Sequence, residues 1–177
     1  MKKLLTCLSM ILVSAGAMAE TRPFNLSLTP DVAVYSRTDT VEGVTLSVWG
    51  ENQQRSFALG LVNGMKMDSV GLAWGIVNYA DNYKGVQWAA VNYSKQDDLG
   101  WFSSAVNFTQ EKMTGLQTGF VNYAGFLKGV QFGFINYSDD GKAGVQIGLI
   151  NVMPKNKWFD GMPNELAPGM IIVNWRF

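Results

Sequence analysis

The sequence predicts an all-β protein built from one repeat of about 15 residues, and three observations lead to this fold class. Between regularly spaced asparagines, apolar and small residues alternate with a period of two, as a β-strand requires. Charged residues are confined to short connectors such as "SKQDDL" and "SDDGKA". A fixed period of this kind indicates identical structural units along the chain. The asparagines recur every 14 or 15 residues, at Asn63, Asn78, Asn92, Asn107, Asn122, Asn136 and Asn151.

The first 19 residues have the layout of a secretory signal peptide. Lys2 and Lys3 precede an apolar run that ends on the small residues Ala17 and Ala19. We therefore expect an exported protein whose residues 20–177 form a single repeat-built domain. Cys7 would be removed with the signal peptide, so no disulfide or thiol chemistry is expected after processing.

The charge balance and the missing residue types exclude several classes of function. The chain has 14 basic and 14 acidic residues and no histidine. Removal of Lys2 and Lys3 leaves 12 basic residues against 14 acidic ones, a net charge of −2, which argues against a nucleic-acid partner. Without His or Cys, neither a nucleophilic triad nor an ordinary zinc site can form. We expect no catalysis, no cofactor and no metal, and we interpret the acidic pairs 97–98 and 139–140 as solvated turns.

The strands follow one another with connectors too short for a parallel crossover. A strand of nine residues is about 30 Å long, whereas a connector of six residues spans at most about 20 Å. Consecutive straight strands must therefore pair antiparallel. A final strand over 169–177 and one within 24–38 bring the number to about ten. The remaining strands are the uncharged segments "GVTLSVWG", "SFALGLVN", "VGLAWGIVNY", "GVQWAAVNY", "GWFSSAVNF", "GLQTGFVNY", "GVQFGFINY" and "GVQIGLINV".

The two faces of each strand differ in kind. Val130, Phe132 and Phe134 share one face in strict alternation, while Gln131 and a small residue share the other. Apolar-out strands of this length are typical of bacterial outer-membrane barrels, and closure removes exposed sheet edges. The sequence therefore predicts an antiparallel meander closed into a small outer-membrane β-barrel of about ten strands, in contact with outer-membrane lipid. A ring of small residues would surround its narrow lumen: Gly60, Gly75, Ala89, Ser104, Gly119, Gly133 and Gly148.

The C-terminus carries a second pattern. Ile171, Val173, Trp175 and Phe177 alternate up to a terminal aromatic residue. This pattern resembles the C-terminal signal that the bacterial outer-membrane assembly machinery recognises, although Gly169 occupies a place that is usually hydrophobic in that signal. The resemblance implies that the assembly machinery is a partner and that the protein resides in the outer membrane.

The recurring phrase, exemplified by "GVQFGFINY", also resembles a family of bacterial surface-repeat proteins made of G-h-Q-h-G-h-h-N units, where h is apolar. The resemblance covers residues 43–152. It implies an exported, surface-associated protein, and it brings no catalytic residues to transfer. We therefore expect a structural or surface-interaction role for the barrel, with an extracellular partner that the sequence does not identify.

Two alternatives stay open at this point. Each repeat can bend into one rung of a secreted β-solenoid, an adhesin or scaffold in which Gln and Asn stack as amide ladders; against this fold, both strand faces look poorly suited to water. A narrow barrel can also pass small polar solutes. The asparagines are interpreted mainly as residues that serve the turn after each strand. Trp158 and Phe159, in the long connector 153–168, are candidates for partner contact.

Overall fold

The computed structural model describes residues 19–177, which form a parallel β-solenoid of about six turns. Residues 1–18, which hold most of the proposed signal peptide, lie outside the described residues. The described part contains strands and no helix. The strands are β1 (Thr21–Thr29), β2 (Val32–Ala33), β3 (Thr40–Trp74), β4 (Val77–Trp88), β5 (Val91–Ser94), β6 (Asp98–Ser103), β7 (Val106–Val152) and β8 (Gly169–Arg176).

Successive turns of the solenoid pair in parallel and place equivalent repeat positions side by side. Trp74 of β3 pairs with Trp88 of β4, and Asn92 of β5 pairs with Asn107 of β7. The predicted antiparallel barrel is therefore wrong, and the rung of about 15 residues corresponds to the alternative fold. The estimate of reach failed because it assumed straight strands. β3 and β7 contain 35 and 47 residues and instead bend at corners. After each turn the chain is therefore back beside the position where that turn began, and the next turn pairs with it in parallel.

One corner of the central turns depends on glycine. Gly85, Gly100 and Gly129 have φ angles of 139°, 143° and 138°, a region that residues with a Cβ atom rarely occupy. A Cβ atom at these positions would also collide with the carbonyl oxygen of the glycine one turn earlier. Glycine is thus required at these three positions by both the backbone angle and the close approach of neighbouring turns.

A second bend breaks the strict alternation that the sequence suggested. Gln131 and Asn136 are both fully buried, although they are five residues apart, while Phe132 and Phe134 are 56% and 52% exposed. The chain turns around Gly133, so that the residues on both sides of this glycine point outward. The two amides then enter the interior from different sides of the corner.

The interior is consequently rich in polar residues, and large hydrophobic side chains occupy much of the exterior. Among the described residues, 24 buried residues are polar or charged and 13 are hydrophobic, while 33 large hydrophobic side chains are exposed. Buried polar groups and large exposed apolar patches are both unusual and informative in a folded protein. The hydrophobic core is small and lies around Met65, Phe102, Met113 and Leu127. Hydrogen bonds between turns must therefore contribute much of the stability of the fold.

Antiparallel strands lie at both ends of the solenoid. β2 pairs with β1 at the N-terminal end, and β8 pairs with the last turn of β7 at the C-terminal end. Asp39 accepts a hydrogen bond from Arg22 Nε at 3.1 Å near the first end, and Glu165 pairs with Arg176 Nη1 at 2.6 Å near the other. Such elements limit edge-to-edge association of exposed strands.

Candidate functional site: an apolar groove along the solenoid

An uninterrupted column of asparagine amides forms one corner of the interior. Each Nδ2 donates to the Oδ1 of the asparagine one turn further along the chain, from Asn63 to Asn151, over distances of 2.8 to 3.1 Å. The column was predicted mainly as a set of turn residues, and that interpretation is wrong. The signal for the ladder was present in the sequence as the 14- to 15-residue spacing, because parallel stacking places identical residues in register.

The asparagines also fix the backbone of the outer surface. The second hydrogen of Asn122 Nδ2 bonds the carbonyl oxygen of Phe132 at 3.1 Å, and that of Asn136 bonds the carbonyl oxygen of Ile147 at 3.0 Å. Phe132 and Ile147 themselves point outward. Asn122 and Asn136 thus hold in place residues that form the outer wall one turn later.

A second amide column is formed by glutamines and is interrupted. Nε2 of Gln146 donates to Oε1 of Gln131, and Nε2 of Gln131 donates to Oε1 of Gln117, both at 2.8 Å. Gln87 belongs to the same column, but Phe102 occupies the turn between Gln87 and Gln117. Both amide atoms of Gln87 are buried without a hydrogen-bond partner in the described part of the chain. The Gln bonds run toward the N-terminus and the Asn bonds toward the C-terminus.

Outside the asparagine corner, the solenoid carries an open groove of about 1070 Å³. Its floor contains most of the predicted lumen ring: Gly75, Ala89, Ser104, Gly119, Gly133 and Gly148. Amide side chains fill the solenoid interior, so these residues surround no lumen. The predicted ring of small residues depended on the barrel and is wrong for the same reason. They instead lie in one column on the outer surface, and Gly60 continues that column beyond the groove, in contact with Ser47.

Large apolar side chains form the two walls of the groove. On one side, Trp74, Trp88 and Trp101 pack edge to face, with ring centroids 6.3 and 5.4 Å apart. On the other side, Phe120 and Phe134 stack with their centroids 5.0 Å apart. These walls of exposed aromatic rings are suited to bind an apolar partner.

The hollow arises where the repeat substitutes small residues for large ones. Ser103 and Thr118 stand in register with Trp88, and Ala105 precedes Phe120 by one turn, as the bond from Phe120 N to the Ala105 carbonyl oxygen at 3.0 Å shows. Thr118 Oγ1 accepts a hydrogen bond from Trp101 Nε1 at 3.1 Å, whereas the hydroxyl of Ser104 is buried without a partner within the described residues. The lining carries no charged side chain, so it provides no general acid or base.

The apolar surface extends beyond the groove. Val62, Val77, Val91 and Val106 form a column in register beside the asparagines, and Leu61 and Leu149 are 52% and 62% exposed. We call the combined surface the apolar face: the small-residue column, its two flanking columns and this valine column. It comprises seven aligned rows from Gly60 to Gly148, and the six steps between them cover about 29 Å at about 4.8 Å per strand.

The other predicted contact and signal residues lie away from this face or at its end. Trp158 and Phe159 are 61% and 51% exposed in the long connector, with ring centroids 6.1 Å apart. Ile171 and Phe177 of the proposed assembly signal are 70% and 60% exposed. The last strand, β8, lies antiparallel on the final turn, and its Ile172 closes one end of the groove.

Asp98 was interpreted as part of a solvated turn, but it is 3% exposed. Its Oδ2 accepts a hydrogen bond from the Thr109 hydroxyl at 2.6 Å, and its Oδ1 has no partner within the described residues. Burial raises the pKa of this carboxyl group to about 7, an effect that the Thr109 bond opposes in part. No sequence feature indicates this burial, because a DD pair in a connector does not reveal which of its two residues turns inward.

Neither a cluster of metal ligands nor a similarity to a known protein indicates a further site in the described residues. Among residues 19–177, no three His, Cys, Asp or Glu side chains are grouped as metal ligands would be. No helix within these residues has the length and apolar character needed to cross a membrane. Protein-family models, curated proteins and solved structures give no significant match to the chain.

Proposed function

We propose that the protein is an exported β-solenoid that serves as a surface scaffold or adhesin and presents its apolar face as the contact surface. The observation that carries this proposal is the continuity of the uncharged face over seven aligned rows, together with the asparagine ladder that rigidly supports it. Exposed apolar patches larger than a few hundred Å² usually mark interaction sites. The groove has no titratable lining, so the proposal assigns the protein a binding role without catalysis.

Cell-surface display tests this proposal. Cells that export the wild-type chain are expected to adhere to hexadecane droplets several-fold more than cells without it, and protease added outside the cells should remove both the protein and the adhesion. The double variant Phe120→Ser/Phe134→Ser should reach the surface in equal amount and lose the adhesion. Retention inside the cell, or equal adhesion by the variant, would contradict the proposal.

A cysteine pair checks that the displayed protein has the solenoid fold. Val91 and Val106 are direct partners in parallel strands and are both exposed. Val91→Cys/Val106→Cys is expected to form a disulfide under mild oxidation, whereas Val91→Cys/Val121→Cys, which places the second cysteine one turn further away, should not. The reverse pattern would mean that the turns do not stack in this register.

A further inference from the structure

We infer that the apolar face docks on a lipid bilayer with electrically neutral headgroups, and that the solenoid lies with its axis parallel to the membrane plane. This inference rests on the proposed function, because it names the chemistry of the partner that the contact face takes. It concerns shallow, peripheral insertion of one side of the molecule.

The usual distribution of polarity is inverted across this molecule. Trp74, Phe120, Phe132 and Phe134 are each more than half exposed, while the seven ladder asparagines are almost fully buried. Exposure of these aromatic rings to water is energetically unfavourable, and a large exposed apolar surface of this kind is informative. Contact with acyl chains would remove this apolar area from water without requiring any polar counterpart.

The distribution of charge decides how the molecule is oriented. The apolar face has no charged residue among its columns, whereas charges occupy another part of each turn, where Lys66 and Lys95 flank Asp81 at 3.8 and 3.6 Å. A solenoid with this division can keep its charged part in water while its apolar face meets lipid, as an amphipathic interfacial helix does.

The same distribution selects neutral headgroups. Residues 20–177 carry 12 basic and 14 acidic residues, and no Lys or Arg is among the residues that line the groove. Attraction to anionic lipids requires a cluster of Lys and Arg next to the membrane. Binding is therefore expected to depend on buried apolar area and to change little with salt.

The charged ends exclude insertion along the axis. Arg22 pairs with Glu20 at 2.7 Å at the first end, and Lys155 pairs with Asp140 at 2.8 Å at the last. Neither end could enter the hydrocarbon region without a large desolvation cost. The solenoid axis therefore has to lie along the bilayer surface.

The backbone of the face tolerates contact with lipid. Ala90 N donates to the Ile76 carbonyl oxygen at 2.9 Å, and Val106 N donates to the Ala90 carbonyl oxygen at 3.1 Å. Lipid-exposed backbone groups must be satisfied within the protein, and bonds between turns meet this condition. The indoles of Trp74 and Trp88 would then lie at the interface, a depth that Trp favours.

Vesicle flotation of the purified protein tests the inference. The wild-type protein is expected to float with phosphatidylcholine vesicles, equally well at low and high salt. The Phe120→Ser/Phe134→Ser variant should bind at least about tenfold more weakly. The matched control Val70→Ser/Leu99→Ser removes two exposed apolar residues outside the face and should bind as the wild type does. Circular dichroism verifies that all three remain folded.

Orientation is read separately from tryptophan fluorescence with brominated acyl chains. Quenching is expected for Trp74 and Trp88 and not for Trp158. Each is measured in a variant in which it is the only tryptophan. Quenching confined to Trp158 would overturn the inference, because the connector rather than the face would then contact lipid.

Several outcomes overturn the inference. These are absence of flotation, equal loss in the control variant, or binding only to phosphatidylglycerol vesicles at low salt. A soluble dimer that light scattering detects, that does not float and that dissociates in the Phe120→Ser/Phe134→Ser variant would assign the face to a second copy of the chain. If the protein does not float but displaying cells still adhere to hexadecane, the inference fails and the proposed function survives. If displaying cells do not adhere to hexadecane and the purified protein does not float with vesicles, both the proposed function and the inference are rejected.

Discussion

The asparagine and glutamine columns show how the same side-chain chemistry can be either fully supported or partly frustrated within one solenoid. Both columns are buried and both stack amides at turn spacing. The asparagine column is continuous, and its members also bond the backbone carbonyl groups that carry the groove wall. The glutamine column is interrupted at Phe102, which leaves the amide of Gln87 without a partner in the described structure.

The difference teaches that a ladder gains its stability from completeness. An amide hydrogen bond contributes about 1 kcal/mol net, whereas an unsatisfied buried polar group costs about 1 to 3 kcal/mol. A residue in the middle of a continuous column therefore supports two neighbours, and a residue next to a gap supports fewer. Substitutions along the two columns should differ in size and, at Gln87, in sign.

The largest effect is expected at the centre of the asparagine column. Asn107→Leu keeps the side-chain size but leaves Asn92 Nδ2, Asn122 Oδ1 and the Thr118 carbonyl oxygen without their bonds. The free energy of unfolding should fall by about 4 to 5 kcal/mol, measured by denaturant titration. Gln96→Leu, which removes an exposed amide partner of Asn82, serves as the control and should cost less than about 0.5 kcal/mol. Equal effects would mean that the ladder does not support the fold.

The next largest effect is expected at the buried carboxyl group of Asp98. It should make the free energy of unfolding depend on pH, which the neutral amides cannot do. Its folded pKa of about 7 lies above an unfolded value of about 3.9, so the folded state binds more protons in this interval. Stability should therefore fall by about 3 to 4 kcal/mol as the pH rises from about 4 to 7. Asp98→Asn should remove this slope and Asp97→Asn should retain it; parallel curves for Asp98→Asn and the wild type would contradict the assignment.

A smaller loss is expected inside the intact part of the glutamine column. Gln131 bonds Gln117, Gln146 and the Tyr137 carbonyl oxygen, but its column contains only three linked members. Gln131→Met retains the length of the side chain and should lower the free energy of unfolding by about 2 kcal/mol. Thermal and denaturant unfolding monitored by circular dichroism measure it. A loss as large as that of Asn107→Leu would show that column length is irrelevant.

The smallest effect should have the opposite sign. Gln87→Met replaces an amide whose two polar atoms are buried without partners by a flexible apolar chain of similar length. The free energy of unfolding should rise by about 1 kcal/mol, because the desolvation cost of the amide disappears. Destabilisation by Gln87→Met, measured in the same way as for Gln131→Met, would show that Gln87 is satisfied by solvent or by another group.

The asparagines and the groove residues show which features could be read from the sequence. The spacing of Asn63 through Asn151 and the charge-free segments predicted strands, repeats and the length of one rung correctly. The direction of pairing could not be read, because Gly85 and Gly133 allow either a straight strand or a corner until their φ angles and neighbours are known. The choice of a barrel followed from treating "GVQFGFINY" as straight.

The sequence by itself determined that this protein is all-β, repetitive and uncharged over most of each repeat. These properties follow from local patterns that a single strand already displays. Only the tertiary structure decided that Gln131 and Asn136 share the interior while Phe132 and Phe134 face outward, and that Asp98 is buried. The physical reason is that each corner fixes side-chain direction through contacts with the turns above and below, which are 14 or 15 residues away in the chain.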